Sequence, residues 1–190
     1  MSEFERILAD IEAAEASSEA RRGWNPGREG EIDIRIAADG TWYHEGVRFQ
    51  RDSLVRLFAS VLRREPGGYF LVTPAEKLRI QVEDAPFVAN LVERIDAAGR
   101  QAIVFTTNTG SRVLLDREHE LRVEIDPDSG QPRPYLQMHD GLEALVGRGA
   151  FFELANFAEE VERDGARYLS VTSLGDSFLL GRCDDPAPGS

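Results

Sequence analysis

Residues 67–88 read GGYFLVTPAEKLRIQVEDAPFV, and their reading decides the fold. Two short apolar runs flank Thr73-Pro74-Ala75-Glu76-Lys77, where the proline presets φ for a tight turn, so the segment is expected to be a β-hairpin. Its second arm leaves through Glu83-Asp84-Ala85-Pro86, and a proline there ends regular pairing because it has no N–H to give a ladder. Lys77, in the turn, is the only lysine among 190 residues.

Working outward, Leu54, Val55, Leu57, Phe58, Val61 and Leu62 fall at helical spacing and predict a helix over residues 51–64, capped by Asp52 or Ser53 and ended by Pro66-Gly67-Gly68. Upstream, Ile32-Asp33-Ile34-Arg35-Ile36 alternates as a half-buried strand does, and Asp39-Gly40 turns the chain back through residues 42–44. Residues 2–21 place Phe4, Ile7, Leu8 and Ile11 on one helical face, with Ser2 and Glu5 set as a capping box. The polar stretch 17–30 reads as a linker anchored by Trp24-Asn25-Pro26. Downstream, Val88, Leu91, Val92 and Ile95 predict a short connecting helix over residues 87–99. A hairpin over 102–107 and 112–115, a strand over 121–125, a turn-rich loop over 126–134 and an extended stretch over 135–138 follow. A long helix over 142–161, weakened at Gly147 and Gly149, precedes a last hairpin over 168–172 and 177–181.

The chain repeats itself. At an offset of 99, residues 55–73 lie on residues 154–172 without a gap. Phe58, Ala59, Arg64, Tyr69, Val72 and Thr73 meet identical residues at Phe157, Ala158, Arg163, Tyr168, Val171 and Thr172. Six identities in 19 positions exceed the roughly one in sixteen that ordinary composition gives by chance. At an offset of 95, His44-Glu45-Gly46 meets His139-Asp140-Gly141. The expected fold is therefore α+β, with two small domains related by duplication, each an antiparallel sheet with a packed helix. The expected division is an N-terminal helix and linker over 1–29, a first repeat over 30–95, a second over 96–182 and a disordered tail over 183–190. Two fused copies create an interface, a favoured place for small-molecule pockets. The copies diverge at one turn, Pro74-Ala75-Glu76-Lys77 against Ser173-Leu174-Gly175-Asp176, and only the first carries a cation.

Charge narrows the partners. With 22 basic and 34 acidic residues the net charge is −12, which repels polyanions, so neither nucleic acid nor an anionic membrane surface is an expected partner. One cysteine, Cys183, forms no internal disulfide, and the N-terminus opens with acids rather than a basic, then apolar, leader; the expected compartment is the cytoplasm.

Several side chains carry possible chemistry. Arginine fills nearly every basic position, so a retained Lys77 suits a site needing a compact, mobile ammonium, although a solvated turn also tolerates one. Glu83 and Asp84 form a carboxylate pair of the kind that binds a cation or divides acid and base roles, or simply caps the following segment. Arg133 and Tyr135 suit an anion and a ring. His44 and His139 occupy equivalent places in the two copies, which a turn role explains more economically than catalysis. No His/Cys spacing matches a zinc site, and no P-loop, nucleophile elbow or dinucleotide fingerprint is present, so no cofactor is expected and an enzyme is the weaker expectation.

Residues 24–26 (WNP), 32–43 (IDIRIAADGTWY), 54–64 (LVRLFASVLRR) and 68–87 (GYFLVTPAEKLRIQVEDAPF) resemble the bacterial domain-of-unknown-function family DUF1285. Residues 106–110, Arg133-Pro134-Tyr135 and 140–145 (DGLEAL) continue the resemblance, which spans residues 24–182 and leaves the N-terminal helix outside. The resemblance implies a duplicated two-domain α+β structure whose second domain is superficially pleckstrin-homology-like. It also implies a role in signal transduction with a nucleotide-like ligand at the domain interface. Thr73, Glu76, Lys77, Glu83 and Asp84 fall in its signature segments. The functional expectation is a non-enzymatic sensor of a small anionic ligand that uses these five residues with Arg133 and Tyr135. The alternatives are a protein-interaction adaptor working through a sheet edge or the N-terminal helix, and a metal-assisted enzyme using Glu83 and Asp84.

Overall fold

A computed structural model describes residues 2–13 and 18–183. The chain divides into two compact units, Met1–Pro86 with Asp140–Leu142, and Phe87–His139 with Glu143–Ser190. The boundary expected at residues 95/96 falls inside a strand. Residues 14–17 of the expected N-terminal helix, and the expected tail from 184 onward, lie outside the described residues.

The first unit runs α1 (Glu3–Ala13), α2 (Ser18–Arg22), β1 (Glu29–Ile36), β2 (Trp42–His44), β3 (Val47–Arg48), α3 (Asp52–Ala59), β4 (Leu62–Glu65), β5 (Gly68–Val72) and β6 (Lys77–Val82). The capping box forms as read: the Glu5 N–H donates to the Ser2 hydroxyl at 3.1 Å, and the Ser2 N–H donates to the Glu5 carboxylate at 2.7 Å. The six strands make one sheet in the order β3-β2-β1-β6-β5-β4. It is not wholly antiparallel, because β6 lies parallel to β1 after the crossover through α3. Ile34, Ile36, Trp42, Phe58, Leu71 and Leu78 are fully buried and form its core.

The helix expected over 51–64 stops at Ala59, and residues 62–65 pair instead with β5. Val61 and Leu62 are buried in the strand as they would be in a helix, so the apolar pattern did not discriminate. The linker is held by Arg63, whose guanidinium donates to the carbonyls of Arg21 at 2.7 Å and Trp24 at 2.9 Å.

The second unit runs β7 (Phe87–Ala97), β8 (Arg100–Thr107), β9 (Arg112–Leu114), β10 (Leu121–Ile125), β11 (Pro132–Gln137), β12 (Glu143–Val146), α4 (Arg148–Asn156), β13 (Glu159–Arg163), β14 (Ala166–Ser173) and β15 (Asp176–Arg182). One sheet has the order β10-β11-β12-β7-β8-β9, again with a single parallel pair, β12 on β7; a second has the order β13-β14-β15. The second sheet is fastened to β8, since the buried Ser173 hydroxyl accepts the Ile103 N–H at 3.0 Å and the Gln101 side-chain amide donates to the Thr172 carbonyl at 2.7 Å.

Two expected helices fail here. Residues 87–97 are strand β7: a bulge between Ala89 and Leu91 shifts the pairing with β8 and leaves Leu91 62% exposed, which gives a strand a helix-like apolar spacing. The helix expected over 142–161 is β12, α4 and β13 in succession. Gly147 marks the break, with φ −60° and ψ 152°, and its N–H donates to the Ala89 carbonyl at 2.9 Å. A Cβ at that position would meet the same carbonyl at 3.4 Å. Among the described residues, no helix is long and apolar enough to cross a membrane.

Both units contain a helix followed by three strands (α3-β4-β5-β6 and α4-β13-β14-β15), and the segments matched at the offset of 99 run from within the helix through the first two of those strands. The His-acid-Gly triplets are turns of one kind: Glu45 and Gly46 have φ 49° and 76°, and Asp140 and Gly141 have φ 58° and 72°. No atom lies within 4 Å of a Cβ added at Gly46 or Gly141, so a substitution there meets only backbone strain. Gly46→Ala and Gly141→Ala should each cost about 1–2 kcal/mol in urea unfolding. Gly149→Ala, in open space within α4, should gain about 0.5 kcal/mol.

Candidate functional site

The turn between β5 and β6 is built on Thr73. Its buried hydroxyl accepts the N–H groups of Glu76 at 3.1 Å and Ala75 at 3.3 Å, while its own N–H donates to the Glu76 carbonyl at 2.9 Å. Thr73 therefore shapes the loop and presents no hydroxyl to solvent. Glu76 folds inward, and its carboxylate, 1% exposed, receives the Arg6 Nε at 3.2 and 3.3 Å and lies 3.5 Å from the Arg28 Nε.

Lys77 opens β6 directly across from Glu29 on β1. Its Nζ lies 2.7 Å from the Glu29 carboxylate and 3.1 Å from that of Glu65, and 5.1 Å from the centroid of the Phe70 ring. Hydrogen bonds to Glu29 and then Glu65 hold the ammonium above its ordinary pKa. Its charge is thus neutralised twice within its own unit.

Glu83 is engaged on both oxygens, one against the Arg35 guanidinium and the other accepting the Ala38 N–H at 3.0 Å. This carboxylate closes the β1–β2 turn. The neighbouring Asp84 is half-buried and makes polar interactions of its own. Among the described residues, no group of three or more His, Cys, Asp or Glu side chains gathers where a metal ion could be held.

Arg133 and Tyr135 belong to the second unit, two positions apart on β11. The Arg133 Nε donates to the Tyr135 hydroxyl at 3.0 Å, and its guanidinium lies 3.4 Å from Asp126. The Tyr135 ring is buried beneath the Arg122 guanidinium, 4.6 Å from its centroid. Tyr135 therefore positions Arg133 rather than offering a free ring face.

Arg133 also lines a half-open groove of about 470 Å³ between β11, the end of β12 and α4. Pro132 and Pro134 form one wall, Phe151 and Phe152 the other, and Arg148 stands at the start of α4. No acidic residue lines it, and none occupies the first turn of α4. The exposed Arg148 makes no side-chain hydrogen bond or ion pair among the described residues, and Phe152 is 71% exposed.

Arg148, Phe151 and Phe152 were missed because residues 142–161 read as one helix. A usable signal was present: adjacent residues on a helix point about 100° apart, so Phe151-Phe152 cannot both face the same core. The partners of Lys77 and Glu76 lie 12 to 70 residues away in sequence, beyond any local pattern.

Residues 22–85 match the domain of unknown function DUF1285, N-terminal domain, and residues 86–180 match the protein of unknown function DUF1285, C-terminal domain. A crystal structure of a DUF1285 family protein from Silicibacter pomeroyi DSS-3 is similar, with 38% identity and a TM-score of 0.82 over 94% of this chain and 96% of that one. Another, from Shewanella baltica OS155, has 30% identity and a TM-score of 0.52 over 65% of this chain and 90% of that one. No curated protein matches. The chain belongs to the DUF1285 family.

The surroundings of Glu83 set a pH dependence. The Ala38 N–H and then the Arg35 guanidinium hold its carboxyl below the ordinary value of 4.5. A carboxyl with a depressed folded pKa contributes stability that is complete above its unfolded value and is lost as pH falls through the folded one. Unfolding midpoints compared between about pH 6 and pH 3 should fall further for the unaltered protein than for Glu83→Gln.

Proposed function

We propose that this DUF1285 protein is a non-catalytic sensor of a small anionic, nucleotide-like molecule, and that the groove between β11 and α4 receives it. The observation that carries this reading is Arg148, outside any ion pair among the described residues, beside the Asp126-paired Arg133 in a groove with no acid in its lining, on a chain of net charge −12. In so acidic a protein, a local cationic concavity focuses a field that attracts a small anion while the whole surface still repels a long polyanion.

The volume, about 470 Å³, suits a mononucleotide-sized ligand. Arg133, held by Tyr135, and Arg148 would meet the negative charge with planar guanidinium forks that pair bidentately with phosphate or carboxylate. Phe151, Phe152 and the two prolines would cover a flat apolar body. Thr73, Glu76, Lys77 and Glu83 are assigned to holding the first unit together, because their polar atoms are already engaged there.

Thermal unfolding against a panel of nucleotides, sugar phosphates and carboxylates tests this. A ligand at about 100 times its Kd should add roughly 2.7 kcal/mol of stability. Arg148→Glu should abolish the shift, while Lys77→Ala should lower the starting midpoint and leave the shift in place. No shift with any compound, or a shift that survives Arg148→Glu, would overturn the proposal.

A further inference from the structure

One carboxylate stands just behind the groove between β11 and α4 without lining it. Asp126 lies 3.4 Å from a terminal nitrogen of the Arg133 guanidinium, whose Nε already donates to the Tyr135 hydroxyl at 3.0 Å. The turn that follows β10 fixes Asp126 in place. Its other oxygen accepts the Ser129 N–H at 2.8 Å, the Ser129 hydroxyl at 2.9 Å and the Asp128 N–H at 3.1 Å. Led by the Ser129 N–H, these bonds hold the Asp126 carboxyl below its ordinary value, so it is charged at neutral pH.

This placement limits the charge that the groove can balance. Arg133 brings one positive charge and Asp126 offsets it at contact distance. Arg148 and the roughly half-charge of the α4 N-terminus remain to face a head group. Pro132 and Pro134, on the β11 wall, have no N–H to give a further anionic oxygen. A head group with a single negative charge matches that set. A second charge would go unbalanced and would stand close to Asp126, in the field of a chain whose net charge is −12.

Taking this groove as the ligand site, as proposed above, we propose that it selects a singly charged head group, a carboxylate or a phosphodiester, on an apolar body. Asp126 is the residue that sets the limit, because it competes with the ligand for Arg133. Among nucleotides the groove then favours cyclic or diester forms over monoesters, diphosphates and triphosphates.

Calorimetric titration of the full chain at about pH 8, where a phosphate monoester carries close to two negative charges, compares two matched pairs of probes. These are cyclic AMP against AMP, and benzoate against phenyl phosphate. The singly charged member of a pair should bind about tenfold more tightly than its doubly charged counterpart. Asp126→Asn keeps the oxygen that shapes the turn and removes the charge, so it should narrow that ratio to about threefold or less by improving the doubly charged probe. A merely structural Asp126 would shift both members alike. Preference within the first pair alone identifies a phosphodiester head, and within the second pair alone a carboxylate. A doubly charged probe that binds the unaltered chain as tightly as its counterpart, or a ratio that Asp126→Asn leaves unchanged, would overturn the charge selection. If Arg148→Glu still abolished that binding, the groove would stand as the site. Absence of binding by all the probes, with and without Asp126→Asn, would overturn the groove as well.

Discussion

The parallel pairing of β6 with β1 is the contact on which the first unit depends. Parallel neighbours cannot be joined by a tight turn, so everything between them, including α3 and the β4–β5 hairpin, is the crossover that brings them together. Register along such a pair is set by side chains rather than by a loop, and a slip by one residue would turn Leu78 and Ile80 outward. Lys77 fixes it. Its N–H donates to the Arg28 carbonyl at 2.9 Å and its ammonium joins Glu29, the residue facing it across the pair. The single lysine of the chain is a register pin at the edge of the core.

Much of this was legible in the sequence, and what was not has a common cause. The hairpins at Asp39-Gly40, Gly110 and Gly175 announce themselves through residues that tolerate positive φ, and the duplication through identities at a fixed offset. The helices that failed did so where apolar residues are buried by two neighbours at once. Val61-Leu62 and Val88 to Val92 satisfy a helical spacing and a strand equally, and only long-range pairing decides between them. The candidate site shows the same limit. Arg133 was readable as a polar residue in a loop-like stretch, whereas Arg148 and the two phenylalanines become neighbours of it only once β12 and α4 have been separated by Gly147.

The charged residues of this protein divide into two kinds by what lies near them. Lys77, Glu76, Glu83 and Arg122 are embedded in local pairs, and such pairs hold geometry without leaving much field at the surface. Arg148 differs from them in its place: it has no ion pair among the described residues and stands in a groove whose lining carries no acid. Net charge describes how the molecule meets a polymer; the arrangement around a single groove describes how it meets a small ion.

The opposite charges at equivalent places in the two repeats, Lys77 and Asp176, bear on how the chain finds its own partners while folding. Similar adjacent repeats are prone to exchange strands, because each offers the other an almost acceptable substitute. Were β15 to take the place of β6, Asp176 would arrive beside Glu29 and Glu65, three carboxylates with only Arg63, 3.4 Å from Glu65, to offset them. In the native arrangement Asp176 pairs with Arg117 at 2.6 Å, and Lys77 with its two carboxylates. A duplicated gene that reverses one charge thereby acquires a way of telling its halves apart during assembly.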